Sequence, residues 1–482
     1  MKKVIGSAIA ILAAGKGTRL KSKRAKVLHE IGGKPLLQHV IDAALTNTPP
    51  ERIFVVVGHQ AEEVERAVRH TGVHFIRQTE QLGTGHAVQC LQEAVGAHKD
   101  LLVLSGDAPL IRPETMERLR EFHHAQQAAM TILTARPANA FGYGRVLRVS
   151  AGSPEVAAIV EQKSLTGEQH RINEINSGIY MFRTEALYRH IDALRPNNAQ
   201  GEYYLTDMAE LLRNAGERVV ALETEDATEV LGANTIAEMM QLDAEMRMAA
   251  ARHLMAMGVT IYRPETCVID GDVSVGADTI IEPFVQLLGK TQVGEDCRIR
   301  SYSVIQNSTL GNGVLVRNSC VLEQASVCDG ALIGPYAHLR PESHIGRGAH
   351  VGNFVETKKT RLGDGSKANH LAYLGDSNIG PGCNIGAGVI TCNYDGTHKH
   401  LTQIGEGVFV GSNSTLVAPV ALEDGCYVAA ASCVTENVPQ GALALGRARQ
   451  VIKPGWAERR AKMQKAKGVR KRTPSAATER TS

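Results

Sequence analysis

The stretch IGEGVFVGSNSTLVAPVALEDGCYVAAASCV, residues 404–434, sets Ile404, Val410, Leu416, Leu422, Val428 and Val434 six residues apart, often followed by glycine. The same beat runs upstream through Val275-Gly276, Ile281, Leu287, Val293-Gly294, Ile299 and Ile305. After a slip it resumes at Leu310-Gly311, Val316, Leu322, Ile333-Gly334, Leu339, Ile345-Gly346 and Val351-Gly352. Hexapeptide repetition of this kind marks a left-handed parallel β-helix. Each hexapeptide supplies one flat strand and one corner, with the aliphatic side chain inward and a small residue at the turn. Three hexapeptides close a triangular coil, so residues 262–437 make about ten coils whose like faces stack at eighteen-residue spacing. Residues 353–373 lose the beat and are expected to bulge out as a loop, the usual place for function on a solenoid.

Working outward, residues 1–236 alternate short apolar runs (8–13, 53–57, 101–104) with helix-like stretches (35–45, 62–69, 114–127). That βαβ order predicts a mostly parallel sheet of the Rossmann-like α/β class. Residues 237–257 hold strong helix formers with neither Gly nor Pro and read as one linking helix. Residues 258–453 then form the β-helix domain and 454–482 a basic tail.

The chain has 482 residues, too many for one core, and a globular composition of 43% hydrophobic and 21% charged residues. Nine scattered cysteines form no C-x-x-C pair, which argues against zinc and disulfides. The apolar run behind Lys2 and Lys3 copies a secretory signal superficially, but it flows into a glycine-rich loop and reads better as a strand. No later stretch could span a bilayer, so a cytoplasmic enzyme with no membrane partner is expected. Net charge is +3, yet residues 453–482 carry ten Lys or Arg against two Glu. Without interleaved aromatics, such a tail reads as solvated or as a cover for a phosphate-bearing ligand rather than a nucleic-acid arm.

Leu12-Ala13-Ala14-Gly15-Lys16-Gly17-Thr18-Arg19-Leu20 follows the first strand and precedes Lys26. Backbone N–H groups and cations gathered in one loop suit a triphosphate, although a plain strand-to-helix turn uses glycines too. Leu104-Ser105-Gly106-Asp107 ends another apolar strand and puts a carboxylate at the carboxyl edge of the sheet, where ligands and Mg²⁺ bind.

Residues 5–236 resemble the sugar nucleotidyltransferases, specifically uridyltransferases acting on N-acetylglucosamine 1-phosphate. The resemblance rests on that loop, Lys26, Gln78, Gln81-Leu82-Gly83-Thr84-Gly85-His86-Ala87, Gly106-Asp107, Gly142-Tyr143-Gly144-Arg145, Glu161, Asn176-Ser177-Gly178 and Gly232-Ala233-Asn234. It implies that Leu12, Ala13, Ala14, Gly15, Gln78, Gly83 and Thr84 hold the uridine, with Ser105 and Gly106 beside them. Gly142, Glu161 and Asn176 would hold the sugar. Asp107 and Asn234 would hold Mg²⁺, and Lys26 would neutralise phosphate charge. Three features depart from the family: Ala25 stands for a usual Pro, Ser105 for a usual Tyr or Asn, and the stretch 150–155 is longer.

A hexapeptide β-helix serves acyltransferases, carbonic anhydrases and structural modules alike, so the residues must decide. His338, His344 and His350 fall on three faces and do not form a metal triad. His370 is followed by Asn384-Ile385-Gly386-Ala387 and Thr391-Cys392-Asn393-Tyr394. This set resembles the acetyltransferase domain of the bifunctional N-acetylglucosamine-1-phosphate uridyltransferase and glucosamine-1-phosphate N-acetyltransferase family, which joins the same two halves in this order. By that resemblance Arg340, Lys358, Tyr373 and Asn384 bind the sugar phosphate. Ala387, Asn393, Tyr394, Ser412, Ala430 and Arg447 bind acetyl-CoA, His370 is the general base, and Glu356 orients it. The resemblance also implies a homotrimer built through the β-helix, acting on UTP, acetyl-CoA and sugar phosphates. The rivals are a nucleotidyltransferase whose β-helix only oligomerises or senses an effector, and a non-enzymatic scaffold.

Overall fold

The computed structural model describes residues 6–198 and 200–470, with side chains through 465. It divides into two compact units, residues 1–309 and 310–482. The twelve last residues of the basic tail lie outside the described residues.

The first unit opens with an α/β sheet whose strands are β1 (Ala8–Leu12), β2 (Ile53–Val57), β3 (His74–Arg77), β4 (Asp100–Ser105), β5 (Met130–Ala135), β6 (Arg145–Arg148), β7 (Val156–Val160), β8 (Ile175–Arg183) and β9 (Val219–Glu223). Their order is β9-β5-β8-β4-β1-β2-β3, with the β6–β7 hairpin hung on β8. The sheet is mixed: β8 runs antiparallel to β4 and β5, whereas β1 lies parallel between β4 and β2. Successive residues of a strand face opposite ways, so Ile11, Val55 and Leu104 pack on one side while Ala10, Val56 and Val103 pack on the other. Each fully buried aliphatic side chain contributes roughly 1.5–3 kcal/mol. The extra residues at 150–155 fall in the β6–β7 turn, leaving Val160 opposite Arg145 and Glu161 just beyond the strand.

The linking helix spans Ile236–Ala256, started by the Thr235 side chain, which accepts from the Glu238 N–H. Arg247 on it bonds Asp243 and Asp270. The first coils of the β-helix therefore belong to the first unit, where Ile269 stacks on Leu287 and Leu287 on Ile305 at the expected eighteen-residue spacing. A solenoid coil touches only its neighbours, so a unit boundary can fall between any two.

The second unit continues in parallel coils, and here one expectation fails. Residues 353–373 do not bulge out: His350–Asn353, Glu356–Leu362, Lys367–His370 and Tyr373–Ile379 are strands in register with adjacent coils. Ile345 stacks on Leu362 and Leu362 on Ile379, seventeen residues apart, so the coil is one residue short and its aliphatic beat slips. Inward positions here are taken by Thr357, Thr360 and Ala368, all fully buried. The insertion lies further on: Ile385 stacks on Val410 and Thr391 on Leu416, which leaves residues 393–401 to leave the coil. His338, His344 and His350 stack on three different strand columns, opposite Glu356, Arg361 and Lys367.

Candidate active sites

At the carboxyl ends of β1 and β4 the first unit opens a cleft of about 530 Å³. Leu12, Ala13, Ala14, Gly15, Lys26, Gln78, Gly83, Thr84, Ser105 and Asp107 all line it. The loop keeps this shape because Gly17 has φ +61, and a Cβ there would stand 2.6 Å from Cβ of Lys26. Gly106 lies behind the lining, its N–H on the Leu12 carbonyl at 3.0 Å. Thr84 has a structural part as well: its hydroxyl accepts from the Leu205 N–H at 3.0 Å and fixes a wall the sequence reading missed, Glu202 and Leu205.

Lys26 sits at the centre. Its ammonium pairs with Asp107 Oδ2 and lies 3.0 Å from Asn234 Oδ1, which Arg19 also reaches at 2.7 Å. Ser105 donates to the other Asp107 oxygen at 2.5 Å. Burial by itself would raise the pKa of Asp107, but the Lys26 charge and the hydrogen bonds from Lys26 and Ser105 bring it below the ordinary carboxylate value. Two hard oxygens thus converge on one cation. That donor pair fits Mg²⁺, which takes one or two protein oxygens and completes its shell with phosphates and water. Among the described residues no three His, Cys, Asp or Glu side chains are placed to hold a metal by themselves.

The expected sugar residues gather beside the cleft. Asn176 N–H bonds the Gly144 carbonyl at 2.9 Å and its side chain donates to the Tyr180 hydroxyl, which lines the cleft. Glu161 Oε1 would lie 3.5 Å from a Cβ at Gly144. Burial, with Asp207 nearby, raises the pKa of Glu161. Gly142 has φ +90, and its N–H donates to Gln162.

In the second unit the site follows from register. Glu356 pairs with Tyr373 one coil on, and Arg340 Nη1 donates to Glu356 at 2.8 Å. His370 lies beside Asn353, with Nδ1 2.6 Å from Asn353 Oδ1. Glu356 is therefore engaged by Arg340, and the residue that holds the imidazole is Asn353. From His370 a line of hydrogen bonds climbs one corner: Gly388 N–H to His370 O, Asn413 N–H to Ala387 O, Ala431 N–H to Ser412 O, and Arg447 to Ala430 O. Four coil steps put Arg447 roughly 19 Å along the axis from His370. Asn384 stands opposite Lys367. Asn393, at the base of the insertion, donates to Asp376, while Tyr394 is exposed.

Residues 9–177 match the family model of MobA-like NTP transferase domains, and residues 272–307 match that of bacterial transferase hexapeptides. Over its length the chain is 59% identical to the bifunctional protein GlmU of Koribacter versatilis, covering 95% of this chain and 98% of that protein. GlmU of Solibacter usitatus is 54% identical over 95% and 98%, and GlmU of Clostridioides difficile 44% identical over 93% and 97%. The chain belongs to the GlmU family of bifunctional proteins. As a GlmU-family member it is a bifunctional transferase with uridyltransferase and acetyltransferase activities.

Two residues of the second unit escaped the sequence reading. One is Asn353. The other is Lys399 on the insertion, close enough to Lys358 that it, and more weakly Arg340, lowers the Lys358 pKa. Arg340 is paired with Glu356, but Lys358 and Lys399 crowd together with only Asp376 acting against them, and such a cluster suits an anionic phosphate. A lysine inside a segment that leaves the coil was the available signal, and it was lost because the insertion was expected at 353–373 rather than at 393–401.

Proposed function

We propose that the second unit transfers acetyl from acetyl-CoA to glucosamine 1-phosphate and that the first-unit cleft joins the product to UTP with release of pyrophosphate. The observation that carries the acyl half is the His370–Asn353 contact. Asn353 Oδ1 can only accept, so it selects the imidazole tautomer with the proton on Nδ1 and leaves the Nε2 lone pair free. The sugar ammonium releases one proton to solvent, and Nε2 takes a second as the resulting amine nitrogen attacks the thioester carbonyl. The tetrahedral adduct collapses, the carbon–sulfur bond breaks, and the CoA thiolate recovers that proton from Nε2. Arg340, Lys358 and Lys399 hold the phosphate, Tyr373 and Asn384 the sugar. Ala387, Asn393, Tyr394, Ser412, Ala430 and Arg447 lie along the CoA path.

In the cleft, a sugar-phosphate oxygen attacks the α-phosphorus of UTP in line and pyrophosphate leaves, with no covalent protein intermediate. Free N–H groups of Ala14, Gly15, Lys16 and Gly17, which have no acceptor among the described hydrogen bonds, face the phosphates. Asp107 and Asn234 would hold Mg²⁺, which supplies charge neutralisation on the phosphates. Lys26 then moves from these oxygens to phosphate. Gly142, Glu161 and Asn176 hold the sugar.

The active form is a cytoplasmic homotrimer. Supporting the trimer, the second unit exposes Tyr336 and Phe354, stacked at 5.4 Å on one corner, followed there by exposed Leu371. Supporting a soluble location, no helix among the described residues is long and apolar enough to cross a membrane. Separate assays of CoA release and pyrophosphate release test the assignment: each must appear with its own substrate pair and not with the other.

A further inference from the structure

Gln78 lines the nucleotide cleft yet is only 3% exposed. Its Nε2 donates to the Gly83 carbonyl at 3.0 Å and lies 3.1 Å from Nδ1 of His86. A carboxamide nitrogen has two hydrogens. Gly83 O takes one, and His86 Nδ1 takes the other in the tautomer that carries its proton on Nε2. That proton has an acceptor in reach, since Cys90 Sγ is 3.9 Å from His86 Nε2 and thiol sulfur accepts weakly. Both amide hydrogens are thus spent on protein. Gln78 Oε1 meets no donor among the described residues and is not a buried orphan, so it opens into the cleft.

We propose that His86 is a positioning residue for base selection, holding the Gln78 amide with its oxygen toward the base. This rests on the reading of the cleft as a UTP site. The wall then presents an acceptor, Gln78 Oε1, beside a donor, the Gly83 N–H, which has no acceptor among the described hydrogen bonds. Uracil offers the complement, an N3–H donor beside the O4 acceptor. Cytosine reverses both, with a lone pair on N3 and an amino group at C4, and would leave two polar groups of the wall facing like partners. His86 is what makes the selection firm. With Gly83 O as the sole anchor, the amide is free to rotate its NH₂ toward the base, where it suits cytosine.

Calorimetric titration of the full chain with UTP and with CTP tests this without needing turnover. Wild type should bind UTP more tightly than CTP. His86→Leu, which removes the acceptor, should weaken UTP roughly three- to tenfold while CTP holds or tightens, narrowing the ratio. His86→Asn puts a carbonyl oxygen near the place of Nδ1 and should restore most of the ratio. An unchanged ratio in His86→Leu, or an equal loss of both nucleotides, overturns the proposal. Failure of the wild type to bind UTP instead overturns the reading of the cleft on which it rests.

Discussion

Asn353 Oδ1 lies 2.6 Å from His370 Nδ1, across one coil of the β-helix. The pairing is a register effect: a seventeen-residue coil brings 353 opposite 370, where an eighteen-residue coil would bring 371. One deleted residue thus sets a carbonyl oxygen beside an imidazole and fixes its tautomer.

Asn353→Leu should lower kcat for acetyl transfer at least tenfold, within the roughly hundred- to ten-thousandfold that a general base contributes, with little change in KM. Asn353→Asp, which keeps an acceptor, should retain more activity. Steady-state CoA release for both variants checks this, and equal losses would argue against a tautomer role.

Lys399→Ala should raise KM for glucosamine 1-phosphate more than it lowers kcat, because the proposed role of the residue is to hold phosphate beside Lys358 rather than to act on the reacting nitrogen. The same variant should keep its KM for acetyl-CoA. A kcat effect with unchanged sugar KM would take Lys399 out of the phosphate site.

Asp107→Ala should abolish most pyrophosphate release and leave CoA release near wild type. Asp107 also anchors Lys26, so the variant loses the proposed Mg²⁺ ligand and the resting partner of the cation together. Normal pyrophosphate release would refute the assignment.

Buried His123 gives a stability prediction. Burial pushes its pKa down to about 4, against the favourable charge of Asp100 and with His124, Arg183 and Lys99 opposing protonation. Unfolded, it titrates near the ordinary histidine value, so the unfolded chain binds more protons as pH falls. The first unit should therefore lose up to about 3 kcal/mol between pH 6.5 and 4, and none of this term above 6.5. Chemical unfolding at pH 7 and pH 4.5 measures the loss, and His123→Gln should flatten it.

The aliphatic beat made the β-helix legible, and βαβ order did the same for the sheet, because both are periodicities of single side chains. The glycine loop, Lys26 and Asp107 were legible because loop and strand end are local. What escaped depended on coil length. Thr357, Thr360 and Ala368 point inward but break an aliphatic count, so a short, regular coil looked like a loop. Thr360 is satisfied there by the Leu374 carbonyl at 2.7 Å, which lets a polar residue hold a core position. The true insertion at 393–401 was masked because the beat resumes at Ile404. Asn353 and Lys399 went unseen for these two reasons respectively. His370 was singled out through the family resemblance of its surroundings, although it stands on a strand and not on an extruded loop.

The central claim is that one chain carries two separate reactions, the acyl step run by His370. His370 is exposed, and its described side-chain partner is Asn353, so His370→Ala should leave the coil intact. The decisive measurement runs that variant in two tubes, glucosamine 1-phosphate with acetyl-CoA and N-acetylglucosamine 1-phosphate with UTP. CoA release should fall roughly a hundred- to ten-thousandfold while pyrophosphate release stays near wild type. Wild-type CoA release, or loss of both activities together, would contradict it.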